Sequence, residues 1–209
     1  MMFDENRGAM ENRLLGMLKD AQARLSLSPR MQITLQVAES SAVQLAQNVC
    51  YPDEDLALLL MSRSFLENST EEEAAFALFH ELGHVYCRLH ASAQGVSTPP
   101  SHDEEFACDY IAGWLFGEAG FVMLDVSQDE HFGATGIGVA PCEEAFGADG
   151  LAMARMEEDN PLGRILRLLG LLWKGNGEAD STHPHAFERV CKAALTGYLD
   201  AIGGNRRRF

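Results

Sequence analysis

Ser69-Thr70-Glu71-Glu72-Glu73-Ala74-Ala75-Phe76-Ala77-Leu78-Phe79-His80-Glu81-Leu82-Gly83-His84 decides how this chain folds, because a helix start, a core-facing stripe and a metal-binding pattern run together in it. Ser69 with Glu72, or Thr70 with Glu73, forms a capping box, and the acidic first turn complements the helix dipole. Ala74, Ala75, Phe76, Leu78, Phe79, Leu82, Val85 and Leu89 recur at helical spacing, which predicts one helix from about Thr70 to about His90 with an apolar face turned inward. On that helix His80 and His84 stand at i and i+4, so both imidazoles project from one face toward a single metal ion. Glu81 sits beside them as a general base able to take a proton from an attacking water. HExxH also arises by chance on exposed helices, but here the motif rides on a core helix.

Two histidines hold zinc poorly, and hydrolytic zinc sites use three protein ligands with a fourth position left open. His90 stands where an HExxHxxGxxH pattern has its third histidine, but that pattern needs a glycine to turn the chain, and Cys87 occupies the place. If the helix continues, His90 points about 120° away from His84. The other candidate lies in Asp103-Glu104-Glu105-Phe106-Ala107-Cys108-Asp109-Tyr110-Ile111-Ala112-Gly113-Trp114-Leu115-Phe116, a second amphipathic helix. Facing the first helix, Glu105 completes a His-His-Glu site, and Asp109 one turn later accepts the remaining N–H of a ligand histidine. In isolation such acids are more often solvated surface groups; the neighbouring HExxH favours the ligand reading. In Ser181-Thr182-His183-Pro184-His185 a helix cap presents His183 at a helix entrance, where it is either a donor to an oxyanion or an ordinary loop histidine.

Together these segments resemble the gluzincin zinc metallopeptidases of the HtpX and CAAX prenyl endopeptidase family. The order of pieces is similar: a short apolar strand (Asp55 to Leu60), an acid-rich cap and HELGH, a later ExxxD helix, and an S-T-H-P segment followed by Arg189. The resemblance implies a zincin-like α+β domain, mainly helical, with a small sheet preceding the HExxH helix. It implies one catalytic Zn²⁺ held by His80, His84 and Glu105, with Glu81 as base, Asp109 behind the ligands and His183 beside the substrate oxyanion. The expected reaction is hydrolysis of a peptide bond in a peptide or protein substrate. In that family the strand before the metal helix lies at the edge of the active site, where an extended peptide can pair with it. Cys108 replaces the alanine usual in ExxAD, and the short spacing from His84 to Glu105 is closer to compact ImmA-type peptidases. Two other classes of function stay open: a latent or inactive metal-binding regulatory protein, and a helical interaction module in which HExxH is accidental.

The 209 residues, 46% hydrophobic, suffice for a single domain with one substantial core. A net charge of −15 argues against nucleic acid and anionic membranes as partners. The longest apolar runs, Leu56 to Met61 and Ile165 to Trp173, fall short of the about 20 residues of a membrane span, and the first residues carry no secretory pattern. Cys50, Cys87, Cys108, Cys142 and Cys191 are scattered without a CxxC pair, which fits a reducing cytoplasm. Cys87 and Cys108 are read as small apolar filling, with an inhibitory thiolate as the alternative. Arg7 to Leu25 reads as an amphipathic helix stopped by Ser28-Pro29, Met31 to Val37 as a half-buried strand and Leu56 to Met61 as a more buried one. Glycines from about Asp125 to Asn160 mark an irregular insertion, either a surface loop or a lid, followed by helices over Pro161 to Trp173 and Ala186 to Ile202. Nothing in the sequence sets the oligomeric state.

Overall fold

The computed structural model describes residues 8–39, 45–94, 101–123, 189 and 193–203 in full, and residues 2–7 by backbone alone. The fold is α+β, mostly helical with one three-stranded sheet. Helix α1 spans Met2–Arg24, followed by strands β1 (Gln32–Ala38), β2 (Ala46–Tyr51) and β3 (Leu56–Ser62). Helices α2 (Arg63–Asn68), α3 (Glu71–Ala93), α4 (His102–Glu118) and α5 (Leu195–Ile202) follow among the described residues. The expected Gly-rich insertion, the helix over Pro161 to Trp173, His183, His185, Cys142 and Cys191 lie outside the described residues. Among the described residues no helix is long and apolar enough to cross a membrane.

Helix α3 is the axis around which the described elements pack. Of the two capping boxes the sequence allows, Thr70 with Glu73 forms: the Glu73 backbone N–H donates to Thr70 Oγ1 and the Thr70 N–H to Glu73 Oε2. The helix is buried without a break from Glu73 to Val85, so it is enclosed on all sides rather than along one stripe. It contacts α1, β2, β3 and α4, and α4 in turn packs on α5. Leu14, Leu18 and Ala21 of α1, with Leu25 just beyond it, join Ala57, Leu59 and Met61 of β3 and the apolar residues of α3, α4 and α5 in one continuous core.

The sheet runs in the order β1-β3-β2, with β1 parallel and β2 antiparallel to β3. This corrects the expectation that the strand leading to the metal helix borders the site. β3 is the central strand, and β2, which the sequence reading missed, is the edge strand packed on α3. The sequence Ala46-Gln47-Asn48-Val49-Cys50-Tyr51 lacks clean apolar alternation because Asn48, on the inner face, answers a charge rather than a hydrocarbon.

Helices α4 and α5 cross at glycines. A Cβ on Gly113 would fall 1.9 Å from the Ala194 carbonyl oxygen, and one on Gly197 would fall 2.0 Å from that of Tyr110. Neither contact can be relieved by a side-chain rotation, since the obstacle is backbone. Gly113→Ala and Gly197→Ala are each expected to destabilise the protein by at least about 1–3 kcal/mol, measured as a lower midpoint in urea unfolding; Gly8→Ala, with open space around it, is the control.

Candidate metal centre

The site begins with a close approach between helices. A Cβ on Gly83 would lie 2.9 Å from Cys108 Cα, so α3 and α4 meet backbone to backbone between His80 and His84 on one helix and between Glu105 and Asp109 on the other. That proximity carries the first turns of α4 over the two histidines. Ser101 caps α4 by accepting from the Glu104 backbone N–H, and Glu105 thereby starts its turn facing inward.

Three donors converge. His80 Nε2 and His84 Nε2 are 3.2 Å apart, Glu105 Oε2 lies 3.5 Å from His80 Nε2, and Glu105 Oε1 lies 3.4 Å from His84 Nε2. All three residues are buried, at 4%, 8% and 5% exposure. A tetrahedral ion with bonds of about 2.0–2.1 Å places its donors about 3.3 Å apart, and these spacings are of that size. His80, His84 and Glu105 could therefore hold a metal ion.

The other ring nitrogens are engaged from behind. His80 Nδ1 is 2.9 Å from Asp109 Oδ1, and His84 Nδ1 is 2.8 Å from Glu104 Oε1, which holds a proton on each Nδ1 and turns each Nε2 toward the shared point. Asp109, read from the sequence as one turn after Glu105, lies against His80. Glu104 was not singled out; the signal was that the second histidine also needs an acceptor and that three acids open α4.

Arg189 closes the cluster. Fully buried, it donates through Nη2 to Asp109 Oδ1 at 2.7 Å and through Nε to Asp109 Oδ2, and its Nη2 lies 2.9 Å from Glu105 Oε2. Sequence reasoning noted it only for its place after S-T-H-P. Its guanidinium helps to offset the carboxylates of Glu105 and Asp109.

Glu81 is buried, and its Oε2 accepts from Asn48 Nδ2 of β2 at 2.5 Å. His90 is excluded as a ligand: α3 continues to Ala93, and His90 is exposed with its ring against Tyr86. Cys108 brings its thiol within 4.8 Å of His84 and Glu104 donor atoms, and burial pushes that thiol well above its usual range. Its small size is what the contact with Gly83 requires, in keeping with a filling role.

Comparison with known protein families, with curated proteins and with solved structures gave no match.

The cluster's charges are strongly interdependent. Burial disfavours the imidazolium of His84, but hydrogen bonds to Glu104 and Glu105 and the charges of Glu81 and Glu105 outweigh it and raise the pKa from 6.5 to about 10. Burial likewise disfavours ionised Glu105, but the hydrogen bond from His84 and the charges of His80, Arg189 and His84 bring it from 4.5 to about 2. Asp109 is lowered despite complete burial, by Arg189 and His80. For the metal-free protein the signs follow by linkage. The raised His84 contributes stability that is full below 6.5 and is lost as pH rises toward 10. The depressed Glu105 contributes above 4.5 and loses its contribution as pH falls toward 2. Urea unfolding of chelator-treated protein should therefore show stability falling from about pH 6.5 to about 10, and His84→Gln should flatten that limb. An unchanged slope in His84→Gln would refute the assignment.

The pairing of Arg189 is open to a separate measurement. Arg189→Met leaves buried Asp109 without its cation and should cost about 3–5 kcal/mol, whereas Arg189→Met with Asp109→Asn should cost less than the sum of the two single changes in a double-mutant cycle.

Proposed function

We propose that this chain is a zinc-dependent peptidase of zincin type in which His80, His84 and Glu105 hold the ion and Glu81 is the general base. The observation that carries the reading is the convergence of two imidazole Nε2 atoms and both oxygens of one carboxylate within 3.2–3.5 Å, with a buried glutamate next in sequence to the first histidine. Two imidazoles and one carboxylate in a tetrahedral spacing favour zinc over magnesium or calcium, which take all-oxygen shells. When bound, zinc supplies Lewis-acid polarisation of a carbonyl oxygen and makes water more acidic.

The chain's own groups do the rest. Asp109 and Glu104 keep the Nδ1 protons in place so that the Nε2 lone pairs stay on the ion. Glu81 accepts the proton of the attacking water and returns it to the amine nitrogen as the C–N bond breaks. Arg189 keeps Glu105 and Asp109 ionised in a buried setting. His183, outside the described residues, is proposed as the donor to the oxyanion that forms on the substrate carbonyl. The substrate is a peptide or protein, and the scattered cysteines without a CxxC pair support a reducing cytoplasmic setting.

Elemental analysis and digestion of a mixed peptide library test this together. Wild-type protein is expected to carry one zinc per chain and cleave peptides. Glu81→Gln should keep the metal and lose about 10²–10⁴-fold in turnover, and Glu105→Ala should release zinc on dialysis. Wild-type turnover by Glu81→Gln would refute the base assignment; a wild-type protein with zinc but no cleavage would point to a latent or regulatory metal protein instead.

A further inference from the structure

Glu81 does not stand alone on α3. Glu81 and Arg88 lie about two turns apart on the same face, and Asn48 of β2 bridges them. Its Nδ2 donates to Glu81 Oε2 at 2.5 Å, while its Oδ1 accepts from Arg88 Nη1 at 2.6 Å. A primary amide has one donor end and one acceptor end, a guanidinium has donors only, and an ionised carboxylate has acceptors only. The amide therefore fits in one orientation. Turning it over would set oxygen against carboxylate and N–H₂ against guanidinium, two repulsive contacts in a partly buried place.

We infer that Asn48 is a positioning residue for Glu81, and that Arg88 fixes which way the Asn48 amide points. The inference rests on the peptidase reading above. Holding Oε2 removes the rotation of the carboxylate about its terminal torsion, so Oε1 is left as the oxygen that takes and returns the proton. The anchor comes from a different element of the fold than the base itself: α3 supplies the carboxylate and β2 sets its angle. Glu104 ties this chain to the metal ligands, since it accepts from His84 Nδ1 and lies 3.9 Å from Arg88 Nε.

A purely structural tie between β2 and α3 would make the same bonds, so the test must read Glu81 itself. Asn48→Leu removes the donor at similar volume, and Asn48→Asp replaces the donor by an acceptor beside Glu81. With a peptide substrate, both should lower kcat by at least about fivefold with KM nearly unchanged, at unaltered zinc content. A readout that needs no turnover is the binding of benzohydroxamic acid to the zinc-loaded protein by calorimetry. A hydroxamic acid gives up its N–O–H proton when it chelates the ion, and a carboxylate held at the right angle receives it.

In a cycle of Asn48→Leu and Glu81→Gln, each single change should weaken this binding, and the double variant should bind as Glu81→Gln does, within about twofold. An Asn48→Leu effect that persists in full in the Glu81→Gln background, or no effect on binding or kcat, overturns the inference. So does wild-type protein that binds zinc but no hydroxamate. If the library yields no cleavage while the cycle is non-additive, the peptidase reading falls and the positioning stands. Cleavage with unchanged kcat in Asn48→Leu gives the reverse. Should Asn48→Leu not fold, Arg88→Met leaves Asn48 in place but frees its amide to turn, and the same cycle is expected with smaller amplitude.

Discussion

The contact between Gly83 and Cys108 is the constraint on which the rest depends. Two helices can share a metal-ligand set only if their axes come close enough for short side chains to meet, and here the backbone of one touches the backbone of the other. The wildcard position before the second histidine is therefore not free to vary. Glycine there, opposite a residue no larger than cysteine, brings Glu105 against His80 and His84 and places Asp109 one turn below. Farther along α4, Gly113 faces Ala194 and extends the same logic to α5. A helix so closely embraced must be small-sided where it is crossed and large-sided elsewhere, which is the pattern of Phe76, Phe79, Phe116 and Leu82 in the core.

Buried charge is the second organising theme. Glu105 and Asp109 would be costly in a dry interior if uncompensated. The structure answers with Arg189 and with imidazoles whose protons are directed at carboxylates. Metal binding and proton binding compete for the same nitrogen of a cluster already balanced in charge, so any ion entering it displaces protons rather than filling an uncharged cavity.

Much of this was legible in the sequence, for reasons tied to local periodicity. His80, Glu81 and His84 are fixed relative to one another by helix geometry alone, and the capping box and acidic starts mark where α3 and α4 begin. Glu105 and Asp109 were legible as a pair because their spacing matches one turn. What was not legible depends on non-local partners. β2 is a poor-looking strand because its inner face carries Asn48, whose partners Glu81 and Arg88 are far along the chain. α2 is a short helix set by the Ser62 cap between β3 and α3. Glu104 and Glu105 are indistinguishable by type, and only the direction of approach of α4 decides which one meets Nε2 and which meets Nδ1. The central position of β3 follows from strand pairing that no window of sequence contains.

Arg189 stands 80 positions beyond Asp109 along the chain, yet it is the cation at the centre of the cluster. A ribosome releases the two helices bearing the ligands well before that guanidinium exists. Through that interval the carboxylates of positions 105 and 109 cannot be packed away in their final form without help from protons. Closure of the interior around α3 thus waits on the synthesis of position 189, and assembly of the site comes later than the moment its motif emerges.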